Sequence, residues 1–130
     1  MEYEYYIEAW RARVKKRKER EKQLAKVATE QARKCAKFLA EEFKVREVYL
    51  FGSLAEGFFH EGSDIDLAVE GLEPHLYFKA LAKLHEVSGG FKVDLVPLEA
   101  SQFKDIILKE GERLYEAKGS SKIDSIKSES

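Results

Sequence analysis

The chain has a single cysteine, Cys35, so no internal disulfide framework and no cysteine-based zinc cluster can be built from it. Its three histidines, His60, His75 and His85, do not fall at metal-ligand spacings. Proline occurs twice, and neither proline nor glycine appears between Tyr5 and Phe43. Asparagine is absent and methionine occurs once. With abundant Glu and Lys, that is the composition bias of heat-tolerant proteins. No stretch approaches the ~18–20 uninterrupted apolar residues of a membrane span. The first residues, MEYEYYIEAWRARV, place acidic groups before the apolar ones and offer no small-residue cleavage site, unlike a secretory signal. A cytoplasmic location is the expectation, with no membrane partner.

What remains is 130 residues, 44% hydrophobic and 36% charged: enough apolar matter for one packed domain. The net charge of −1 hides an asymmetry. Residues 1–46 carry 14 basic and 8 acidic side chains, whereas residues 47–116 carry 6 basic and 14 acidic. A basic arm is joined to an acidic body, a pattern that suits a polyanionic or an acidic partner.

The stretch from Tyr5 to Phe43 is rich in Ala, Glu, Lys and Arg and reads as one long helix or two in series. Leu24, Ala28, Ala32, Cys35, Ala36, Leu39 and Phe43 recur at helical spacing and form a core-facing stripe. Earlier, Tyr3, Ile7, Trp10 and Val14 step by four and three. Between the two stripes, Lys15 to Gln23 contains no apolar residue, and a helix polar all round cannot be packed in a core there. The N-terminal part is therefore expected to project and to dock its aromatic face elsewhere, on a partner or in a homo-oligomer.

Arg46 to Phe51 reads as a strand ending at Gly52. A short loop or helix follows through Gly57. Asp64 to Glu70 alternates, with Ile65, Leu67 and Val69 on one side and Asp64, Asp66 and Ala68 on the other. Pro74 to Val87 reads as a helix stopped by Gly89-Gly90. Lys92 to Leu98 is a third strand with Asp94 inside it. Ser101 to Lys109 is a last helix capped by Ser101. Glu112 to Tyr115 is a short edge strand, and Gly119 to Ser130 is expected to fray. The fold class is α/β (α+β): a small mixed sheet flanked by helices. The expected organisation is a helical region over 1–45, a sheet domain over 46–116, which needs the long helix to cover one face, and a tail over 117–130.

Three features converge on chemistry. Asp64 and Asp66, two apart in a strand, point to the same face. Two neighbouring carboxylates repel when ionised, but with Mg²⁺ they become a hard oxygen site completed by phosphate oxygens and water. Asp94 joins them if its strand is adjacent. A third carboxylate allows a second metal and a proton acceptor for an incoming hydroxyl. Gly52-Ser53 supplies the anion side, because glycine lets the backbone approach a phosphate and Ser53 adds a hydroxyl and an N–H at the head of a short helix.

Gly52-Ser53, ten residues, then Asp64-Ile65-Asp66, with Asp94 on a later strand, resembles the DNA polymerase β-like nucleotidyltransferase superfamily, and the small size resembles its minimal nucleotidyltransferase branch. The likeness runs from about Val48 to Leu98. It implies the nucleotidyltransferase fold. It also implies that Gly52 and Ser53 bind the nucleotide's phosphates, that Asp64 and Asp66 bind two Mg²⁺, and that Asp94 completes the metal site and assists the attacking hydroxyl. The implied reaction is transfer of a nucleoside monophosphate, AMP from ATP or the equivalent from another nucleoside triphosphate, to an acceptor hydroxyl. The implied partner is a HEPN-type protein in a toxin–antitoxin pair, with this chain as antitoxin. One residue departs from the pattern: Glu56 stands where minimal members often carry a basic residue, and it would repel a triphosphate unless Lys79, Lys83 or a partner compensates. The same residues leave two other functions open. One is a degenerate nucleotidyltransferase that neutralises its partner by contact. The other is a nucleic-acid-binding module using the nine cations between Arg11 and Lys26, although a solvated helix face is the plainer account of that run. Phe58 and Phe59 are core or pocket residues, His60 a loop residue, and Cys35 core.

Overall fold

The computed structural model describes residues 2–118. Helix α1 (Glu2–Phe43) leads into strand β1 (Glu47–Phe51) and short helix α2 (Gly52–Glu56). Strand β2 (Ile65–Glu70) follows, then a 3₁₀ turn (Pro74–Leu76) running into α3 (Tyr77–Val87), then β3 (Val93–Pro97). A second 3₁₀ turn (Leu98–Ala100), α4 (Lys104–Glu110) and β4 (Glu112–Glu116) complete the order. The strands form one sheet in the order β3-β2-β1-β4. β1 lies antiparallel to both β2 and β4, and β2 runs parallel to β3, joined by α3 as the crossover.

The long glycine-free stretch is one helix. Its second half buries Ala28, Ala32, Cys35, Ala36, Leu39 and Phe43 as the spacing requires. Small side chains in that stripe let the helix axis approach the sheet closely. Beneath it lie Val48, Leu50, Ile65, Leu67, Val69, Val93 and Leu95, with Ala80 and Leu84 of α3 closing the same core. Fully burying one of these Leu or Val side chains stabilises the fold by ~1.5–3 kcal/mol. The first half of α1 is exposed along nearly its whole length: the stretch from Lys15 to Gln23, as expected where no apolar residue occurs, and the stripe of Tyr3, Ile7 and Trp10 ahead of it. Residues 2–23 extend ~33 Å at 1.5 Å per residue. Helix α1 ends where Lys44 turns into the left-handed region at φ 56. Glycine usually takes that position, and lysine holds it at some backbone cost.

The opposite face of the sheet carries a smaller cluster of Tyr49, Ala68, Leu98 and Ile107. The last helix begins at Lys104 rather than Ser101. Ser101 Oγ instead accepts the N–H of Phe103, which holds a turn ahead of the helix. Phe59 is buried and Phe58 exposed. The expected fraying from Gly119 to Ser130 concerns residues outside those described. Among the described residues, no helix is long and apolar enough to cross a membrane.

Candidate active site

The strand register brings the acidic residues to one end of the sheet. Asp66 is paired with Asp94 across the parallel β2–β3 ladder and with Phe51 across the antiparallel β1–β2 ladder. Alternation sends Ile65, Leu67, Val93 and Leu95 into the helix-covered core, so Asp66 and Asp94 share the opposite face, and Asp64, two residues before Asp66, follows them. Asp64 and Asp66 are half-buried and Asp94 is exposed.

Asp66 sits at the centre of this arrangement. Its carboxyl is pushed up from 3.8 to about 6, first by burial, then by the charges of Asp94 and Asp64. Asp94 also acts, after burial, to raise the Tyr77 hydroxyl. None of the three aspartates forms an ion pair among the described residues. Among the described residues, no basic side chain therefore stands within ion-pairing distance to offset their mutual repulsion.

Gly52 abuts Asp66 directly. A Cβ at this position would lie 2.1 Å from Asp66 Oδ2, and the backbone has φ +75. The positive φ calls for glycine on conformational grounds, and any side chain here would push the Asp66 carboxylate out of its place. Ser53 follows as the second residue of α2, and its carbonyl accepts the N–H groups of Gly57 and Phe58, which folds the loop back behind it. The sequence-predicted residues Gly52, Ser53, Asp64, Asp66 and Asp94 thus gather at one end of the sheet.

Hard, anionic oxygen donors suit Mg²⁺, which commonly takes one or two carboxylates and fills its octahedron with phosphate oxygens and water. Among the described residues, no three carboxylate, imidazole or thiol side chains are gathered into a ready-made metal cage. The donor chemistry fits the ion, and the remaining ligands would have to arrive with the nucleotide and water.

Two features were not legible in the sequence. The Tyr77 hydroxyl donates to the Leu95 carbonyl at 2.6 Å, which ties α3 to the strand that carries Asp94. In the sequence Tyr77 is only one more residue at the start of a helix. The second feature is a cleft of about 280 Å³ beside Gly52, walled by Ala55, Phe103 and Ile106 and rimmed by Glu56 and Glu110. No Lys or Arg lines it. Lys79 and Lys83, the residues the sequence offers to offset Glu56, lie instead against Phe38, Glu42 and Phe43 at the C-terminal end of α1. Lys83 there pairs with Glu86 at 3.5 Å.

The family model for polymerase β nucleotidyltransferases matches residues 33–120. The chain belongs to this nucleotidyltransferase family. The match opens within α1, so it takes in the last quarter of the helix, with Cys35, Ala36, Leu39 and Phe43 of its buried stripe. A relative from Methanocaldococcus jannaschii, named provisionally as a protein adenylyltransferase, is 42% identical over 66 residues, 49% of this chain and 67% of the relative. Among solved structures, a toxin–antitoxin with AMP-PNP superposes with a TM-score of 0.56 at 25% identity, over 73% of this chain and 82% of the other. An MNT antitoxin from Shewanella oneidensis, in complex with a tri-AMPylated HEPN toxin, shares the fold with a TM-score of 0.53 at 24% identity, over 77% of this chain and 82% of the other.

Proposed function

We propose that this nucleotidyltransferase transfers AMP from ATP, with Mg²⁺, to a hydroxyl on a HEPN-type partner protein, and so acts as the antitoxin of a toxin–antitoxin pair. The observation that carries the reading is the register of Asp66 with Asp94, with Asp64 on the same face and Gly52 seated on Asp66. The name of the M. jannaschii relative, the AMP-PNP of one neighbour and the AMPylated toxin of another favour adenylyl transfer to protein over other nucleotidyl transfers.

In this reading Asp64 and Asp66 would hold two Mg²⁺, and Asp94 would complete the set. When bound, the ions supply positive charge that neutralises the phosphates and the developing charge of the displacement. Gly52 lets the start of α2 close onto the Asp66 carboxylate, and the backbone of Gly52 with the backbone and hydroxyl of Ser53 would orient the phosphate chain beside it. Asp94, the most exposed of the three, takes the proton from the acceptor hydroxyl. That oxygen bonds to the α-phosphorus as the bond to the bridging oxygen breaks, and pyrophosphate leaves. Positioning and electrostatics account for most of the rate in such reactions. The division into 1–45, 46–116 and 117–130 belongs to the same reading, with the second half of α1 serving the catalytic domain as its roof.

The test is incubation with α-labelled ATP, Mg²⁺ and a HEPN-type partner. Label should pass to the partner, and Asp64→Ala or Asp66→Ala should abolish transfer with the fold intact by circular dichroism. Full transfer in either variant refutes the assigned metal roles. Glu56, at the rim of the cleft beside Gly52, favours a second reading in which the fold neutralises its partner by contact alone. Calorimetric titration with ATP and Mg²⁺ separates the two, because contact alone requires no nucleotide binding.

A further inference from the structure

The first half of α1 carries large apolar side chains into solvent. Tyr3 is 82% exposed, Ile7 47% and Trp10 58%. With Val14 they step by four, three and four residues, the spacing of a helix–helix seam. Large apolar side chains lined up on one solvent-facing stripe mark a face built to be covered. The question is what covers it.

The charges flanking the seam answer it. Acidic side chains occupy the first two turns (Glu2, Glu4 and Glu8), and basic ones follow at once (Arg11, Arg13, Lys15, Lys16, Arg17 and Lys18). Side by side in parallel, two such helices would set like charge against like. Turned antiparallel, each acidic end meets the other's basic stretch. We propose that two copies of this chain associate through residues 3–14 of α1, paired antiparallel about a two-fold axis between Glu8 and Ala9. In that register Tyr3 packs against Val14 of the second copy, and Ile7 against Trp10 of the second copy. Heptad geometry then sets Glu4 beside Arg11 of the second copy, and Tyr6 beside Arg13 of the second copy, where the guanidinium can lie on the ring. The seam is self-complementary, as a two-fold interface must be. It also leaves the bodies apart: the paired segment ends ten residues before Leu24, where packing on the sheet begins. This association does not depend on the catalytic reading.

Analytical ultracentrifugation of the full chain should show a concentration-dependent dimer. Trp10→Glu should weaken it at least ~10-fold, as for a central aromatic anchor, with the thermal unfolding of the body unchanged. Glu4→Arg and Arg11→Glu should each weaken the dimer, and the double variant should regain it. Direction is read by oxidative cross-linking, since native Cys35 is buried and silent. Tyr3→Cys mixed with Val14→Cys should cross-link, and Tyr3→Cys alone should not. A monomer at every concentration, or a dimer that forms only when a different protein is added, overturns the proposal. So does efficient cross-linking of Tyr3→Cys with itself, which would report parallel helices.

Discussion

Replacing Asp66 by Asn should make the metal-free protein more stable at neutral pH while removing its activity. Asp66 has a raised pKa, about 6 against 3.8, because burial and the charges of Asp94 and Asp64 oppose its ionisation. The native state therefore holds this proton more tightly than the unfolded chain does. The corresponding stability is fully present below pH ~4 and is lost as the pH rises through about 6. Taken at face value the rise is worth ~3 kcal/mol at 1.36 kcal/mol per pH unit. For a half-exposed carboxylate, solvent screening reduces this to ~1 kcal/mol. Asp66→Asn removes the charge and keeps the shape. At pH 7.5 in EDTA the variant should melt ~3–5 °C above the parent, and at pH 4 the two should coincide. Adding Mg²⁺ and ATP should then raise the melting temperature of the parent by mass action and move that of the variant far less. If the variant is no more stable than the parent at pH 7.5, the three aspartates are not close enough to repel one another, and the shared metal site fails with them.

Gly52→Ala should cost ~1–3 kcal/mol in urea unfolding and abolish transfer, because its Cβ would stand 2.1 Å from Asp66 Oδ2 at φ +75; a silent substitution would mean that the close approach is absent. Lys44→Gly should add ~0.5–1 kcal/mol of stability by relieving the left-handed lysine at φ 56, read as a higher urea midpoint with an unchanged slope. Burial pushes the Cys35 thiol up to about 11, so a thiol reagent at pH 8 should label it only after denaturant is added, and rapid labelling of the folded chain would contradict its core position.

Much of the fold was readable because its signals are periodic. The stripe from Leu24 to Phe43 and the alternation from Ile65 to Val69 each repeat often enough to fix both the element and its buried face. Helix α4 was misplaced by three residues because Ser101 satisfies a local N–H equally well from a turn as from a helix cap. The gathering of Asp64, Asp66 and Asp94 was inferred from alternation within each strand, but their register was not readable. Which residue of β3 stands beside Asp66 is set by the length and packing of the α3 crossover, and Tyr77 anchors that strand through a backbone carbonyl that leaves no trace in residue identity. The cleft beside Gly52 was equally hidden, since α2 and α4, which wall it, are separated by most of the domain in sequence.

Helix α1 runs from its aromatic tip to its core stripe without a glycine or proline to bend at. The polar stretch from Lys15 to Gln23 consequently behaves as a ruler. Its side chains are largely interchangeable, but its count is not: adding one residue would swing the tip by ~100° about the axis, whereas adding seven would restore the heading to within ~20° and lengthen the reach by ~10 Å. Whatever grips the tip is thereby aimed at a fixed bearing relative to the three aspartates, with the bearing written in the number of residues rather than in their chemistry.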